Sequence, residues 1–336
     1  MNGWLILDKP VGHGSTQAVS AVKRALRAGG YPKVKVGHGG TLDPLASGVL
    51  PVALGEATKL AGRLLDSEKV YEFTIAFGVE TDTLDGEGKV VATSDARPTA
   101  AAIAGILPRF TGAIHQVPPA YSALKVDGAR AYDLARAGEE VVLATRHVIV
   151  FSLQSSLSLL GEGDRRPQVG GGGGGGVAAV PAAPPPPSLC DGPPPRAKLG
   201  EDLAEITLTA HVSKGTYIRS LARDIALALG TVGHVTYLRR LKAGPFDLAH
   251  AISLDKLAEL GHGRVLEHRL LPLRAGLDDI PALSLTPDQA GALRQGRVLV
   301  GIACPDGPHF AMLGMSPVAL VEASAGQVRV VRGFNP

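Results

Sequence analysis

Long apolar runs are missing from this 336-residue chain. No stretch of about 18 consecutive apolar residues occurs, which argues against a helical membrane span. The opening MNGWLILDKP has no basic region followed by a long apolar core, so it does not read as a secretory signal. Cysteine is nearly absent. Cys190 and Cys304 stand far apart with no CxxC spacing, which argues against a zinc site and a disulfide framework and points to free thiols in a reducing cytoplasm. Aromatics make up only 4% of the residues, so each tyrosine beside a motif carries more weight than usual. Nucleotide-binding signatures are missing too. The run from Gly37 to Leu42 lacks the third glycine of GxGxxG, and neither a P-loop nor a GxSxG elbow occurs. A net charge of +3 is too small to argue for nucleic acid by itself.

What is present is unevenly distributed. Residues 211–246 hold six Lys/Arg (Lys214, Arg219, Arg223, Arg239, Arg240, Lys242) against Asp224 alone, whereas residues 64–97 hold eight acids against three cations. A one-sided basic strip suits a polyanion and makes its binding salt-sensitive; it also suits a solvated face with no ligand. Alternating or apolar runs predict strands at 3–8, 70–77, 88–92, 146–153 and 204–212. Helical spacing predicts helices at 16–28, 55–66, 99–108, 129–137 and 218–229, the first capped by Ser15 or Thr16. Without a repeating βαβ rhythm, this order predicts a mixed, largely antiparallel α+β fold.

Residues 154–202 interrupt the pattern with seven consecutive glycines (170–176) followed by PAAPPPP and DGPPPR. Such a sequence has too little side chain to bury and reads as a disordered, inert insertion in a hairpin loop. A second boundary falls near 275. The expected organisation is therefore one domain from 1–153 and 203–275, the insertion, and a small α+β module at 276–336.

The most informative run is GHGGTLDPLASGVLPVALGEATK, residues 37 to 59. It sets one carboxylate, Asp43, among turn-forming Gly39, Gly40, Pro44 and Gly48, with Leu42, Leu45, Val49, Leu50 and Val52 around it. A positioned, partly desolvated aspartate serves as nucleophile or general base; an Asx-turn in a glycine-rich connection has the same composition.

This run resembles the active-site motif of the TruB family of tRNA pseudouridine synthases, GHxGxLDPxAxGxLP followed by GxATK. The blocks LILDKPVGHGS (5–15), VPPAYSALKVDGARAYDLAR (117–136), SKGTYIRSLARDI (213–225) and HVTYLRRLKAGPF (234–246) extend the resemblance in the family's order. It implies the pseudouridine synthase fold, a mixed sheet with a central cleft, and a PUA-like RNA-binding module at the C-terminal end. It also implies isomerisation of uridine 55 in the T-arm loop of tRNA, with base flipping and no cofactor or metal. The expected partner is the tRNA T-arm stem-loop alone, and the chain is expected to act as a monomer with no membrane association and no obligatory protein partner. Two other readings stand beside it: a tRNA-folding chaperone without essential chemistry, and a guide-RNA-dependent relative.

By the same resemblance Asp43 is the nucleophile. Attack at C1′ and abstraction of a sugar proton both suit a carboxylate there. A carboxylate in an apolar pocket needs a cation to stay charged, and the matching residue is Arg219, whose guanidinium can clamp it. Tyr71 matches the tyrosine that stacks on the target base and offers the C5 proton, Tyr217 a second pocket tyrosine, and Leu238 the apolar wall. His38 is expected to occupy the place the flipped base vacates. Lys9 matches the first motif, which buttresses the catalytic loop. With Lys59, Lys125, Arg130, Arg239 and Arg240 it is also a candidate for RNA-backbone contact.

Overall fold

A computed structural model describes residues 1–155 and 200–335, apart from 123, 127, 140, 142 and 278. The main elements in chain order are β1 (Gly3–Lys9), α1 (Ser15–Ala28), β2 (Val36–His38), β3 (Ser47–Leu54), α2 (Ala61–Asp66) and β4 (Lys69–Phe77). The hairpin β5–β6 (Val79–Thr81, Val90–Thr93) is followed by α3 (Ala100–Ile106) and β7 (Gly112–Gln116). The hairpin β8–β9 (Lys125–Val126, Ala129–Arg130) is followed by α4 (Ala131–Arg136) and β10 (Arg146–Ser155). Then come β11 (Glu205–Val212), α5 (Ile218–Ala228), β12 (Gly233–Ala243), β13 (Phe246–Asp247) and α6 (Leu254–His262). The C-terminal part holds β14 (Ala282–Ser284), α7 (Pro287–Arg294), β15 (Leu299–Val300), β16 (Gly307–Leu313), β17 (Ser316–Ser324) and β18 (Gln327–Gly333). Among the described residues no helix is long and apolar enough to cross a membrane.

Among the described residues, nine strands form the main sheet, in the order β1-β3-β12-β4-β11-β10-β7 with β2 on β3 and β13 on β12. All pairings are antiparallel except β3 with β12, where Arg239 lies opposite Ser47 and Arg240 opposite Gly48. Gly48 makes that junction possible: it sits at φ +101, and a Cβ there would collide with the Arg240 carbonyl oxygen.

Strand alternation sends β1 to two cores. Leu5 and Leu7 join Val22 of α1, Val52, Phe73, Ile75, Leu221 and Leu238 on the helix-covered face. Trp4 and Ile6 join Val49, Ala53, Phe310, Leu320 and Phe334 on the other. The second, five-stranded sheet (β14-β16-β17-β18-β15) is thereby packed against the back of β1 and β3. Trp4 is fully buried, and its indole N–H donates to the Leu273 carbonyl at 3.1 Å.

The α+β class and the five predicted strands hold, with shifted ends. The predicted helix 55–66 divides into a 3-10 turn, Gly55–Lys59, and α2. The α1 cap is Gly14, whose N–H donates to Gln17 Oε1, and Ser15 is engaged elsewhere. β3, β7 and β12 were not expected from the pattern. β12 carries three cations within eleven residues, which hides a central strand. Most of the predicted insertion, residues 156–199, lies outside the described residues; its flanks β10 and β11 pair antiparallel.

Candidate active site

The loop joining β2 to β3 is fixed through its backbone. Every carbonyl from Gly40 to Pro44 accepts a hydrogen bond. Arg240 donates to Gly40 (3.4 Å), Thr41 (3.2 Å) and, beyond the loop, Val49 (2.8 Å). Ser15 Oγ accepts from Leu42 N–H (2.8 Å) and donates to its carbonyl (3.1 Å). Ala46 N–H donates to Asp43 O, and Gly12 N–H and Lys9 Nζ donate to Pro44 O. Lys9 also donates to His13 O at 2.6 Å and Pro10 O at 3.0 Å. Burial pushes its ammonium down to about 8, opposed by the charge of Asp43 and reinforced by Arg240.

Asp43 projects from this braced loop. Its Oδ2 receives Arg219 Nη2 at 2.8 Å; the Asp43 side chain is 40% exposed and that of Arg219 7%. Arg219 enters at the first turn of α5 and is saturated on its far side. Nη1 donates to Thr83 O (2.9 Å) and Asp85 Oδ2 (3.2 Å), and Nη2 donates to Tyr121 O (3.0 Å). Asp85 is buried, and its other oxygen accepts from Thr83 Oγ1 and Glu87 N–H. Leu84 between them takes φ +62, uncommon for a branched side chain, so Thr83 O and Asp85 Oδ2 face one guanidinium nitrogen. One arginine thus ties a buried carboxylate to a solvent-accessible one.

A cavity of about 540 Å³ opens beside Asp43, within the range of small-molecule sites. Its wall includes Tyr71 from β4, Tyr217 before α5, Leu238 from β12, Arg219 and Leu42. Gln116 holds the Tyr217 backbone at both N–H (2.8 Å) and C=O (3.0 Å). Burial raises the Tyr217 phenol, which keeps it neutral. Leu238 is 6% exposed and faces both core and cavity. His38 lies on β2 beside the loop, outside the cavity wall. Burial, then the Arg240 charge, lowers its imidazole, which stays neutral at pH 7. Its Nδ1 is buried without a hydrogen-bond partner among the described residues.

Four of the residues expected to touch RNA backbone are engaged by the protein itself. Lys9 and Arg240 are 0% and 1% exposed and brace the loop from beneath. Arg239 points to the opposite face of β12, where it pairs with Asp8 at 2.7 Å. Lys59 pairs with Glu56 (2.7 Å) and donates to the Gly333 carbonyl (2.9 Å), fastening the end of β18. Burial corrects the sequence expectation for Lys9 and Arg240, while Arg239 and Lys59 are partly exposed and held by protein partners. Lys125 and Arg130 lie on the β8–β9 hairpin, and their side chains are outside those described.

Asp85, Ser15, Gln116 and Arg146 were not read from the sequence as site residues. Asp85 sits in an acid-rich TDTLDGEG stretch that looks solvated. Arg146 lines the cavity from an exposed position at the start of β10, and nothing among the described residues pairs with its guanidinium.

Residues 23–159 match the TruB family pseudouridylate synthase (N terminal domain), and residues 219–278 the tRNA pseudouridylate synthase B C-terminal domain. The chain is 59% identical to the tRNA pseudouridine synthase B of Novosphingobium aromaticivorans, across all of this chain and 98% of that protein. It is 54% identical to that of Zymomonas mobilis subsp. mobilis, across all of this chain and 96% of that protein. Among solved structures, a chain of an H/ACA RNP bound to a substrate RNA containing 2'-deoxyuridine has the same fold (TM-score 0.64, 22% identity, 99% of this chain and 85% of that one). The archaeal box H/ACA sRNP Nop10-Cbf5 complex is similar (TM-score 0.63, 23% identity, 99% and 86%). With relatives this close over its whole length, and a family motif that folds around one braced aspartate, the chain belongs to the TruB family of pseudouridine synthases.

Proposed function

We propose that this protein isomerises uridine 55 in the T-arm loop of tRNA to pseudouridine, with Asp43 as the nucleophile. The observation that carries the reading is the Asp43–Arg219 pair at 2.8 Å on the wall of a cavity where Tyr71, Tyr217, Leu42 and Leu238 stand beside the cations Lys69, Arg146 and Arg240. The reaction detaches uracil at N1, rotates it and rejoins it through C5, so the site must hold a free base away from water. Asp43 reacts at the sugar or base while Arg219 holds and aims its carboxylate. Tyr71 stacks on the base and takes part at C5, Leu238 and Tyr217 wall it in, and Arg146 receives a phosphate at the mouth. Reaching the cavity requires flipping the uridine out of its loop. The His38 ring, beside the loop, fills the vacated stack.

We read residues 1–153 with 203–275 as the catalytic domain and 276–336 as a PUA-like module. Four arginines against five acids in that module favour RNA contact by shape over charge. The chain works as a single protein with no guide RNA. Full-length similarity to proteins named for tRNA supports this, against 22–23% identity to chains of guide-RNA complexes. The test is to incubate purified protein with an unmodified tRNA transcript, without cofactor, guide or partner, and to map pseudouridine by position. Conversion at uridine 55 alone is expected. Conversion elsewhere would reassign the substrate, and tight binding without conversion would favour a folding chaperone.

A further inference from the structure

Between residues 9 and 42 the chain holds six Lys/Arg and no acid. Lys9 is buried beneath the catalytic loop. Lys23, Arg24, Arg27, Lys33 and Lys35 are all exposed, and among the described residues none of them forms an ion pair or a side-chain hydrogen bond. Three lie on the outer side of α1 and two on its connection to β2. Lys23 and Arg24 each stand one turn from Arg27, a like-charge spacing that repels and that an anion relieves.

This strip lies on the same side of the main sheet as the cavity. Ala18, Val22 and Leu26 of α1 pack into the core cluster that holds Leu238 and Ile218 of the cavity wall. Ser15, at the start of α1, is bonded to Leu42 beside Asp43. At about 1.5 Å per residue, Arg27 is roughly 18 Å along the helix from that contact, within reach of an RNA whose loop is seated in the cavity. Between α1 and α6 a groove of about 670 Å³ runs beside the strip. His13, Gln17, Arg24 and His262 stand among its lining, which includes no carboxylate.

We propose that this strip and the groove beside it form a second RNA contact surface, which holds the phosphodiester backbone of the tRNA whose target loop enters the cavity. The proposal rests on the tRNA reading above. It adds to the electrostatic contact available from residues 211–246, where Arg219, Arg239 and Arg240 are engaged by the protein, Arg223 pairs with Asp224 and Lys214 with Asp66, and Lys242 is left exposed.

The test compares K23A/R24A/R27A with a control of equal charge change, K89A/R109A/R274A, at exposed positions outside the strip, the cavity wall and the C-terminal module. Affinity for a tRNA transcript is measured across a salt series, and conversion at saturating tRNA separately. The strip variant should bind about tenfold more weakly, with a salt slope smaller by about two to three, while saturated turnover is unchanged and the control binds like wild type. An unchanged slope would overturn the proposal, as would an equal loss in the control, which would mean net charge alone is responsible. Absence of conversion by wild-type protein would defeat the tRNA-synthase reading instead, and the binding slopes would still decide the strip.

Discussion

Two regions of this protein are rich in cations, and they use them in opposite ways. In residues 211–246 three of the six cations turn inward. Arg219 lies between two carboxylates, Arg240 holds three carbonyls, and Arg239 closes on Asp8. In residues 23–35 the cations face solvent, with no ion pair among the described residues. Counting charge along a sequence cannot separate these cases, because structural and ligand-binding cations have the same composition. Burial and partner decide, and they favour the α1 region over the α5–β12 region as the face for a polyanion.

Removing Arg219 should expose the difference most sharply. Arg219→Ala leaves Asp85 buried without its cation, so a stability loss of about 3–5 kcal/mol by urea denaturation is expected, together with loss of nearly all turnover. Near-wild-type stability would mean the network is dispensable. Arg240→Ala should cost about 3 kcal/mol and slow saturated turnover, because the Gly40–Thr41 backbone loses its brace, yet leave the salt slope of tRNA binding unchanged. A flatter slope would return Arg240 to RNA contact. Arg146→Ala, at the cavity mouth, should raise KM about tenfold with little change in kcat; an unchanged KM would remove it from phosphate binding.

A further difference concerns pH. Burial holds Lys9 and Lys69 down at about 8, against an ordinary 10.5. Between those values the unfolded chain binds more protons than the folded one, so these two groups make stability rise with pH from about 8 towards 10.5. K9M/K69M should flatten that rise in denaturation midpoints measured across the window. An identical pH profile would show that both lysines titrate normally.

Much of the fold was legible because periodicity reports burial directly. Strands β1, β4 and β11 and helices α1 and α5 follow their apolar spacing. β12 was not legible: Arg240 is almost fully buried in it, a charged residue at a position where the pattern demands an apolar one. Part of the cavity wall was legible from motifs, although His38 and Lys59, in the same run as Asp43, lie outside it. Asp43, Tyr71, Leu238 and the neighbours Tyr217 and Arg219 are far apart in the sequence, and the structure gathers them around one cavity. Asp85 was not legible, since an aspartate in an Asp-Gly turn gives no sign that an arginine 134 residues away will bury it. Ser15 looked like a helix cap because its hydroxyl suits one, but its partner, Leu42, is 27 residues distant. Contacts of that range are set by topology, which local spacing does not record.

The most direct measurement is single-turnover conversion of an unmodified tRNA transcript by Asp43→Asn, with tRNA affinity determined on the same preparation. Conversion should fall by at least about a thousandfold while binding stays close to wild type, because the carboxamide keeps the shape of the carboxylate but not its nucleophilic charge. Conversion near the wild-type rate would contradict this and remove Asp43 from the chemistry.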